Sequence, residues 1–321
     1  MKFVKSILWI LLIVLIILIC LFAIIGIISY AVITLNRKAL LFTFINELKC
    51  PGEKIMCSPP EPTNTLSWSP IIKSMYQYDI AHITLELVSR VAYNRGLVSI
   101  PEIGEIINPF IFNKLDTKDV FGVLWKNNST LWIAFRGTNV NLAEWINNFT
   151  IAQVSLFNNP KALKLPLFMV NNPNIKIHEG FLSIFIEIQN ELEQLISNNI
   201  LNRTIVISGH SLGCAIATIL AIELQTKYPG RVIVYNFASP RVGNNEFVQY
   251  IQKLKIPIYS IVNTEDIIPT TPLPVSMNYS SYNNPFFYNQ SANAISYSSQ
   301  WNSLANNHSI ANYIANIPLL E

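Results

Sequence analysis

Residues 204–217 constrain the fold more than any other stretch of the chain. They read TIVISGHSLGCAIA, in which a β-branched run breaks at a glycine, presents Ser211 and continues into small residues. β-Branched residues favour strands, and alanine favours helices. Glycines flank the serine because a sharp turn from strand to helix crowds its neighbours. The stretch therefore predicts strand, tight turn and helix in succession, with Ser211 as a nucleophile or as a helix N-cap.

Strand and helix patterns alternate along the rest of the chain. Helical periodicity is found in residues 78–96, 179–199 and from 211 to about 227. Strand patterns occupy residues 121–126, 130–138, 204–209, 231–238 and 258–264, and the first two are separated by hairpin-like NNS. This alternation predicts an α/β fold with a mostly parallel sheet covered by helices on both faces. Residues 278–308, rich in Asn, Ser, Tyr and Phe, are expected to form a loop.

An apolar segment near the N-terminus accounts for the unusual composition of 51% hydrophobic and 13% charged residues. Residues 7–35 carry no charge, and as a helix they would be about 43 Å long, against the ~30 Å of a bilayer core. A cleaved signal peptide is the alternative, but the apolar region of a signal peptide is typically shorter than this segment and ends in a small-residue cleavage site. We expect a transmembrane anchor in residues 1–36, a Pro/Ser/Thr-rich linker in 37–70 and one domain in 71–321.

The side of the membrane on which the domain lies is less strongly indicated. Lysines precede the apolar segment and Arg37 and Lys38 follow it, so the positive-inside rule barely discriminates. Cys50 and Cys57 bracket PGEKIM, and a disulfide there is a hypothesis for an oxidising compartment. Glycosylation sequons begin at Asn127, Asn128, Asn148, Asn202, Asn278, Asn289 and Asn307. We therefore expect a single-pass protein with a lumenal or extracellular domain.

Charge and histidine spacing argue against several other functions. The formal net charge is +3, without a long basic run, which gives no reason to expect a nucleic-acid partner. His82, His178 and His210 show no metal-ligand spacing and are interpreted as packing residues, with His210 beside the substrate. No cofactor or metal is expected, and the sequence does not indicate an oligomeric state.

A serine nucleophile needs a base and a carboxylate that orients the base. In strand–turn–helix hydrolases these follow the serine in the order carboxylate, histidine. Downstream of Ser211 the only histidine is His308 and the only aspartate is Asp266, which directly follows a predicted strand. Glu265 is the serious competing carboxylate, ahead of Glu223, Glu246 and Glu321. The prediction is that Ser211 attacks, His308 acts as base and Asp266 orients it.

An oxyanion intermediate also needs hydrogen-bond donors. The amide of Leu212 follows the nucleophile and lies at the positive end of the predicted helix, so it is one candidate. A second donor should come from a loop after an earlier strand. Thr138, after Gly137, offers an amide and a hydroxyl there.

Several stretches together resemble the class 3, or fungal-lipase-like, family of α/β-hydrolases. They are IAFRGT, EW with the following NNF, HEGF, GHSLGCAIA, FASPRVGN, NTEDIIP and NNHSIANYI, and the similarity spans roughly three quarters of the chain. The resemblance implies the α/β-hydrolase fold, hydrolysis of lipid acyl esters, a Ser211, Asp266 and His308 triad, an oxyanion hole of Thr138 and Leu212, and a lid in residues 139–154. The chain departs from the family at Asn147 and Asn148, where an aspartate usually follows the lid tryptophan.

The resulting hypothesis is a membrane-anchored serine hydrolase that cleaves triacylglycerol or diacylglycerol through an acyl-enzyme. A phospholipase A1-type enzyme or a monoacylglycerol esterase is the alternative that the same residues allow. An inactive membrane-bound protein that keeps the lipase fold for binding is the alternative of another class. The complete set of catalytic residue types argues against it, since an inactive descendant needs none of them.

Overall fold

A computed structural model of the chain describes residues 76–111, 120–138, 153–155, 171–272, 275–276, 286–287 and 294–317. The predicted membrane anchor, Cys50, Cys57 and most of the expected lid lie outside these residues. No helix within the described ranges is long and apolar enough to cross a membrane.

The described elements alternate much as the sequence predicts. The helices are α1 (Tyr78–Ala92), α2 (Glu179–Asn199), α3 (Leu212–Lys227), α4 (Asn245–Lys253), α5 (Leu304–Asn307) and α6 (Ile310–Ala315). The strands are β1 (Glu105–Ile111), β2 (Val120–Lys126), β3 (Thr130–Phe135), β4 (Gln153–Ser155), β5 (Lys176–His178), β6 (Thr204–His210), β7 (Val232–Phe237), β8 (Ile258–Asn263), β9 (Val275–Ser276), β10 (Phe286–Phe287) and β11 (Ala294–Tyr297).

Seven of these strands form one sheet in the order β1-β2-β3-β6-β7-β8-β11. The first three are antiparallel, and β2 and β3 form the predicted hairpin. From β3 onward every neighbouring pair is parallel. The prediction of a mostly parallel sheet is therefore confirmed. Two small antiparallel pairs, β4 with β5 and β9 with β10, stand apart from it.

Helices cover both faces of this sheet, and β3 shows how the sequence divides between them. Leu131, Ile133 and Phe135 pack with α2, α3 and α4 on one face. Trp132 and Ala134 pack with α1 and α6 on the other. Successive side chains of a strand point to opposite faces, so a strand that is apolar throughout requires cover on both sides.

Helix α3, which follows the serine turn, is buried almost all round. Every residue from Leu212 to Leu224 is buried, and the helix packs against β6, β7 and α2. A helix without a polar face is stable only inside a core. The turn that precedes α3 is thus held by the centre of the domain.

The loop expected in residues 278–308 is wrong at β10, β11 and α5, of which β11 joins the main sheet. This strand pairs in parallel with β8, with Ala294 opposite Ser260 and Tyr297 opposite Asn263. As an edge strand, β11 alternates exposed and half-buried residues and lacks the apolar run of the central strands. Strand β1 and helix α4 are also present without having been predicted.

Candidate active site

Ser211 occupies the sharp turn between β6 and α3. Its backbone has φ 56° and ψ −124°, in a region that residues other than glycine seldom adopt. Its amide donates to the carbonyl of Phe237 at 3.0 Å, whereas its side chain makes no capping hydrogen bond to α3. The N-cap interpretation therefore does not hold. A strained serine that leaves its hydroxyl uncommitted is typical of a nucleophile position.

The two glycines around the serine are required by close backbone approach. A Cβ on Gly209 would lie 2.4 Å from the carbonyl carbon of Gly213. A Cβ on Gly213 would lie 2.5 Å from the carbonyl oxygen of Phe135, at the end of β3. Any larger residue would push β6, α3 and β3 apart, which explains the glycine spacing in the sequence.

Asp266 and His308 are brought together across a gap of more than forty residues. His308 Nδ1 lies 2.7 Å from Asp266 Oδ2, and the two residues are 8% and 2% exposed. A carboxylate oxygen accepts, so Nδ1 carries a proton, and in the neutral ring Nε2 is then the acceptor nitrogen. The other carboxylate oxygen, Oδ1, accepts from the amide of Ile268 at 2.9 Å. The pair thus has the tautomer that a general base requires.

Tyr313 is a further partner of Asp266 that the sequence analysis missed. Its hydroxyl donates to Asp266 Oδ2 at 2.8 Å and accepts from the amide of Asn263 at 3.1 Å. Burial and the nearby Asp266 charge raise the pKa of Tyr313 well above its usual value. Tyr313 therefore remains a neutral donor. The sequence feature that could have identified Tyr313 is its position in α6, shortly after His308.

The competing carboxylates lie elsewhere. Glu265 accepts from Ser298 Oγ at 3.3 Å and from Gln300 Nε2 at 3.0 Å, on the exposed side of the loop. Glu223 accepts from Gln189 at 2.7 Å, between α3 and α2. Of the three carboxylates, only Asp266 contacts the histidine.

Buried asparagines connect the loop that carries Asp266 to the segment that carries His308. Asn263 Nδ2 donates to the carbonyls of Ser299 at 2.8 Å and Asn307 at 3.1 Å. Asn307 Nδ2 donates back to the carbonyl of Glu265 at 3.1 Å. Because both side chains are buried, these bonds are shielded from water and fix one segment against the other.

A cavity of about 210 Å³ lies between the loop after β3 and His308. Its lining residues are Ala92, Tyr93, Gly137, Thr138, His210, Ala305, His308, Ser309 and Ile310. Gly137 approaches the serine so closely that a Cβ on it would lie 3.0 Å from Ser211 Cβ. Leu212 is the first residue of α3, where amides have no acceptor within the helix. Thr138 and Leu212 therefore flank the serine turn from two elements.

His210 also contacts His308. Its Nε2 lies 2.8 Å from the His308 carbonyl oxygen, and the two ring centroids are 4.6 Å apart. Among the described residues no hydrogen bond joins Ser211 Oγ to the His308 ring. Such bonds are often long in unliganded hydrolases and shorten when substrate binds.

Neither a metal nor thiol chemistry is indicated near the serine. In the ranges that the structure describes, no three His, Cys, Asp or Glu side chains are grouped to hold a metal ion. Cys214 is buried, and its Sγ donates to the carbonyls of Gly209 and Phe237 at 3.1 Å each. Burial raises the pKa of this thiol well above its usual value, so it is an inert packing group.

Comparison with known proteins gives concordant relationships. The family model described as "Lipase (class 3)" matches residues 132–276. A chloroplastic phospholipase A1 of Arabidopsis thaliana is 32% identical over 151 residues, which are 44% of this chain and 33% of that protein. A lipase of Rhizomucor miehei is 31% identical over 150 residues, covering 44% and 38%. The chain thus spans little more than a third of the length of these relatives.

The solved structures agree on the fold. The triacylglyceride lipase of Rhizomucor miehei superposes with a TM-score of 0.52 and 23% identity, covering 68% of this chain and 78% of that one. At this identity the likeness concerns the fold and not the reaction. The family match over residues 132–276, the lipase relatives and the shared fold agree in relating this chain to the class 3 lipases.

Proposed function

We propose that the protein is a serine hydrolase that cleaves carboxylic esters of lipids, with Ser211 as nucleophile, His308 as base and Asp266 as its orienting carboxylate. The observation that carries the proposal is the buried 2.7 Å hydrogen bond from His308 to Asp266, beside a serine held at φ 56°. Acyl transfer requires a nucleophile, a base and an orienter, and a histidine bonded to a buried carboxylate in the same domain as a strained serine turn supports this assignment.

The proposed reaction uses each group in turn. His308 Nε2 accepts the Ser211 proton as Oγ bonds to the ester carbonyl carbon, and Asp266 stabilises the imidazolium that forms. The amides of Leu212 and Thr138 donate to the oxyanion. The intermediate collapses, the alcohol leaves with the proton from His308, and the acyl group stays on Ser211. Water, deprotonated by His308, then releases the fatty acid.

Triacylglycerol or diacylglycerol is the substrate class that we propose first. The Rhizomucor miehei relative is named a lipase, and Ala92, Ala305 and Ile310 give the cavity apolar walls suited to an acyl chain. The Arabidopsis thaliana relative, named a phospholipase A1, favours the second candidate, a phospholipase A1 or monoacylglycerol esterase.

Labelling with a fluorophosphonate probe tests the reaction type. The full chain in detergent should be labelled, and Ser211→Ala should not. Ser208→Ala is the matched control, because Ser208 is a buried serine of β6, three residues before Ser211, and should leave labelling intact. Equal labelling of wild type and Ser211→Ala would refute the enzyme and favour a binding protein that keeps the lipase fold.

A substrate panel separates the candidates. Triacylglycerol, diacylglycerol, monoacylglycerol and diacyl phospholipid should be offered at matched interfacial concentration, with short p-nitrophenyl esters for comparison. We expect the highest kcat/KM on neutral glycerides. Preference for the phospholipid would select the second candidate, and hydrolysis of the short esters alone would contradict lipid specificity.

We also propose that residues 1–36 anchor the protein in a membrane, with the catalytic domain in the lumen or outside the cell. The uncharged segment 7–35, the Cys50 and Cys57 pair and the sequons support this. Asn128 lies exposed in the turn between β2 and β3. The neighbouring Ser129 carbonyl accepts from Thr204 at the start of β6, the end away from Ser211. A glycan there would leave the site open.

Expression in a glycosylating cell tests the location. The full chain, with an added C-terminal sequon tag, should lose apparent mass on treatment with an N-glycosidase. The double variant Asn128→Gln with Ser129→Ala abolishes both overlapping sequons at Asn127 and Asn128 and should remove one glycan, whereas the tag reports location independently. An unmodified tag would assign the domain to the cytoplasmic side and contradict the proposal.

A further inference from the structure

We propose that His210 is a positioning residue for the catalytic base: its imidazole, as the neutral Nε2–H tautomer, holds the main chain and the ring of His308 in place. This inference rests on the proposed function, because it assumes that His308 acts as the base. It assigns a task to a residue that the sequence suggests is only a neighbour of the nucleophile.

The first contact is a hydrogen bond to the backbone of the base. His210 Nε2 lies 2.8 Å from the His308 carbonyl oxygen. A carbonyl can only accept, so the proton resides on Nε2. His210 is 6% exposed, and little water competes for this bond. The bond connects the end of β6 to the segment between α5 and α6, which are distant in sequence.

The second contact is between rings. The His210 and His308 rings have centroids 4.6 Å apart and planes inclined by 36°. The Tyr313 ring also contacts His210, with centroids 5.9 Å apart and planes inclined by 76°. The His308 ring is therefore fixed by Asp266 at Nδ1 and by the His210 ring on its face. Two constraints of different kind define the direction of Nε2, which must meet the Ser211 proton.

The neutral state of His210 suits this task. Burial, and secondarily the neighbouring His308, lower the pKa of His210 well below its usual value. Of the described residues, His308 and Tyr313 are the titratable groups whose rings contact it, and Tyr313 remains uncharged. When His308 becomes a cation during the reaction, a neutral His210 adds no repulsion.

Three variants of the full chain test the proposal by the chemistry at one position. The Gln side chain of His210→Gln carries an N–H donor at nearly the same distance from the backbone as Nε2. The shorter side chain of His210→Asn does not reach the His308 carbonyl, and His210→Leu has no donor. We expect His210→Leu and His210→Asn to lower kcat by about 10- to 100-fold, because small misplacement of a base is costly. KM should change by less than kcat, because His210 is one of nine residues that line the cavity, whereas its hydrogen bond acts directly on the base.

Rescue distinguishes positioning from simple filling of space. His210→Gln should recover kcat to within about fivefold of wild type, although its shape is no closer to histidine than that of leucine. Unfolding of each variant in denaturant should be followed in parallel, and variants should be compared at equal folded fraction. His210→Asn serves in place of His210→Leu if the apolar variant does not fold.

The results distinguish failure of the positioning role of His210 from failure of the proposed hydrolase function. A wild-type kcat in both His210→Leu and His210→Asn would overturn the positioning role while leaving the hydrolase intact. An equal loss in His210→Gln and His210→Leu would overturn the role of the hydrogen bond. Failure of the wild-type protein to react with a fluorophosphonate would overturn the proposed function and this inference with it.

Discussion

The two halves of the site are held by different kinds of force. The elbow half, residues 209–213, is fixed by backbone packing: glycines allow β6, α3 and β3 to touch, and Ser211 adopts a strained conformation. The acid–base half, residues 263–266 and 307–313, is fixed by side-chain hydrogen bonds among Asn263, Asp266 and Tyr313. We expect the elbow half to tolerate small changes of polarity but no added volume. We expect the acid–base half to tolerate added volume better than the loss of a polar group.

The largest effect is expected at Asp266, which is proposed to orient the catalytic base. Asp266→Asn should lower kcat by about 10³- to 10⁴-fold, because an amide stabilises neither the imidazolium nor the required tautomer. Glu265→Gln is the matched control and should retain activity, since the Glu265 carboxylate bonds only exposed side chains, those of Ser298 and Gln300. Steady-state hydrolysis of a chromogenic ester measures both. Loss in Glu265→Gln and not in Asp266→Asn would reverse the assignment.

One added methyl group should be enough to destabilise the elbow half. Gly213→Ala sets a Cβ 2.5 Å from the Phe135 carbonyl oxygen and should lower the free energy of unfolding by about 3 kcal/mol. Gly230→Ala is the control for conformation alone, because Gly230 has φ +74° and open space around it, and should cost about 1 kcal/mol. Denaturant unfolding gives both values. Equal losses would deny the special role of close packing in the elbow.

Removal of one buried amide tests how the acid–base half is held. Asn263→Ala deletes the donor to the Ser299 and Asn307 carbonyls and should lower the free energy of unfolding by about 2 kcal/mol. Asn306→Ala, which loses only an exposed bond to the Trp301 carbonyl, should stay within about 0.5 kcal/mol of wild type. An unchanged free energy of unfolding in Asn263→Ala would show that the two segments hold together without the asparagine side chain.

The smallest effect concerns His210, which lies where the halves meet. Its pKa is lowered in the folded chain from a usual value of 6.5, so the unfolded chain binds the additional proton. Stability should be complete above that pH and fall below it, by up to about 1.4 kcal/mol per pH unit. Urea unfolding between pH 7.5 and 5.5 should show a shallower fall for His210→Gln. His82→Gln, exposed on α1, should follow wild type.

The contrast between the halves also explains what the sequence could predict. The elbow follows from local pattern, and the observed bounds of β6 and α3 differ from the predicted ones by about one residue. Asp266 and His308 were found by elimination, which identifies residue types but not distances. Their contact is observed, whereas their roles in catalysis stay a prediction.

Other features depend on contacts that no local pattern encodes. Tyr313 and His210 act through partners far away in the chain. Strand β11 is short, half-exposed and recognisable only by its pairing with β8. Such elements owe their structure to tertiary context rather than to propensity. The expected lid, anchor and cysteine pair lie outside the described residues and also stay predictions.

The parallel pairing of β11 with β8 has a consequence for biosynthesis. The elbow is complete once β3, β6, α3 and β7 have emerged from the ribosome, and N-terminal segments generally fold first. Asp266 is made soon afterwards, but its partners His308 and Tyr313 follow β11, close to the end of the described chain. The serine turn can therefore form in the nascent protein before His308 and Tyr313 have been synthesised.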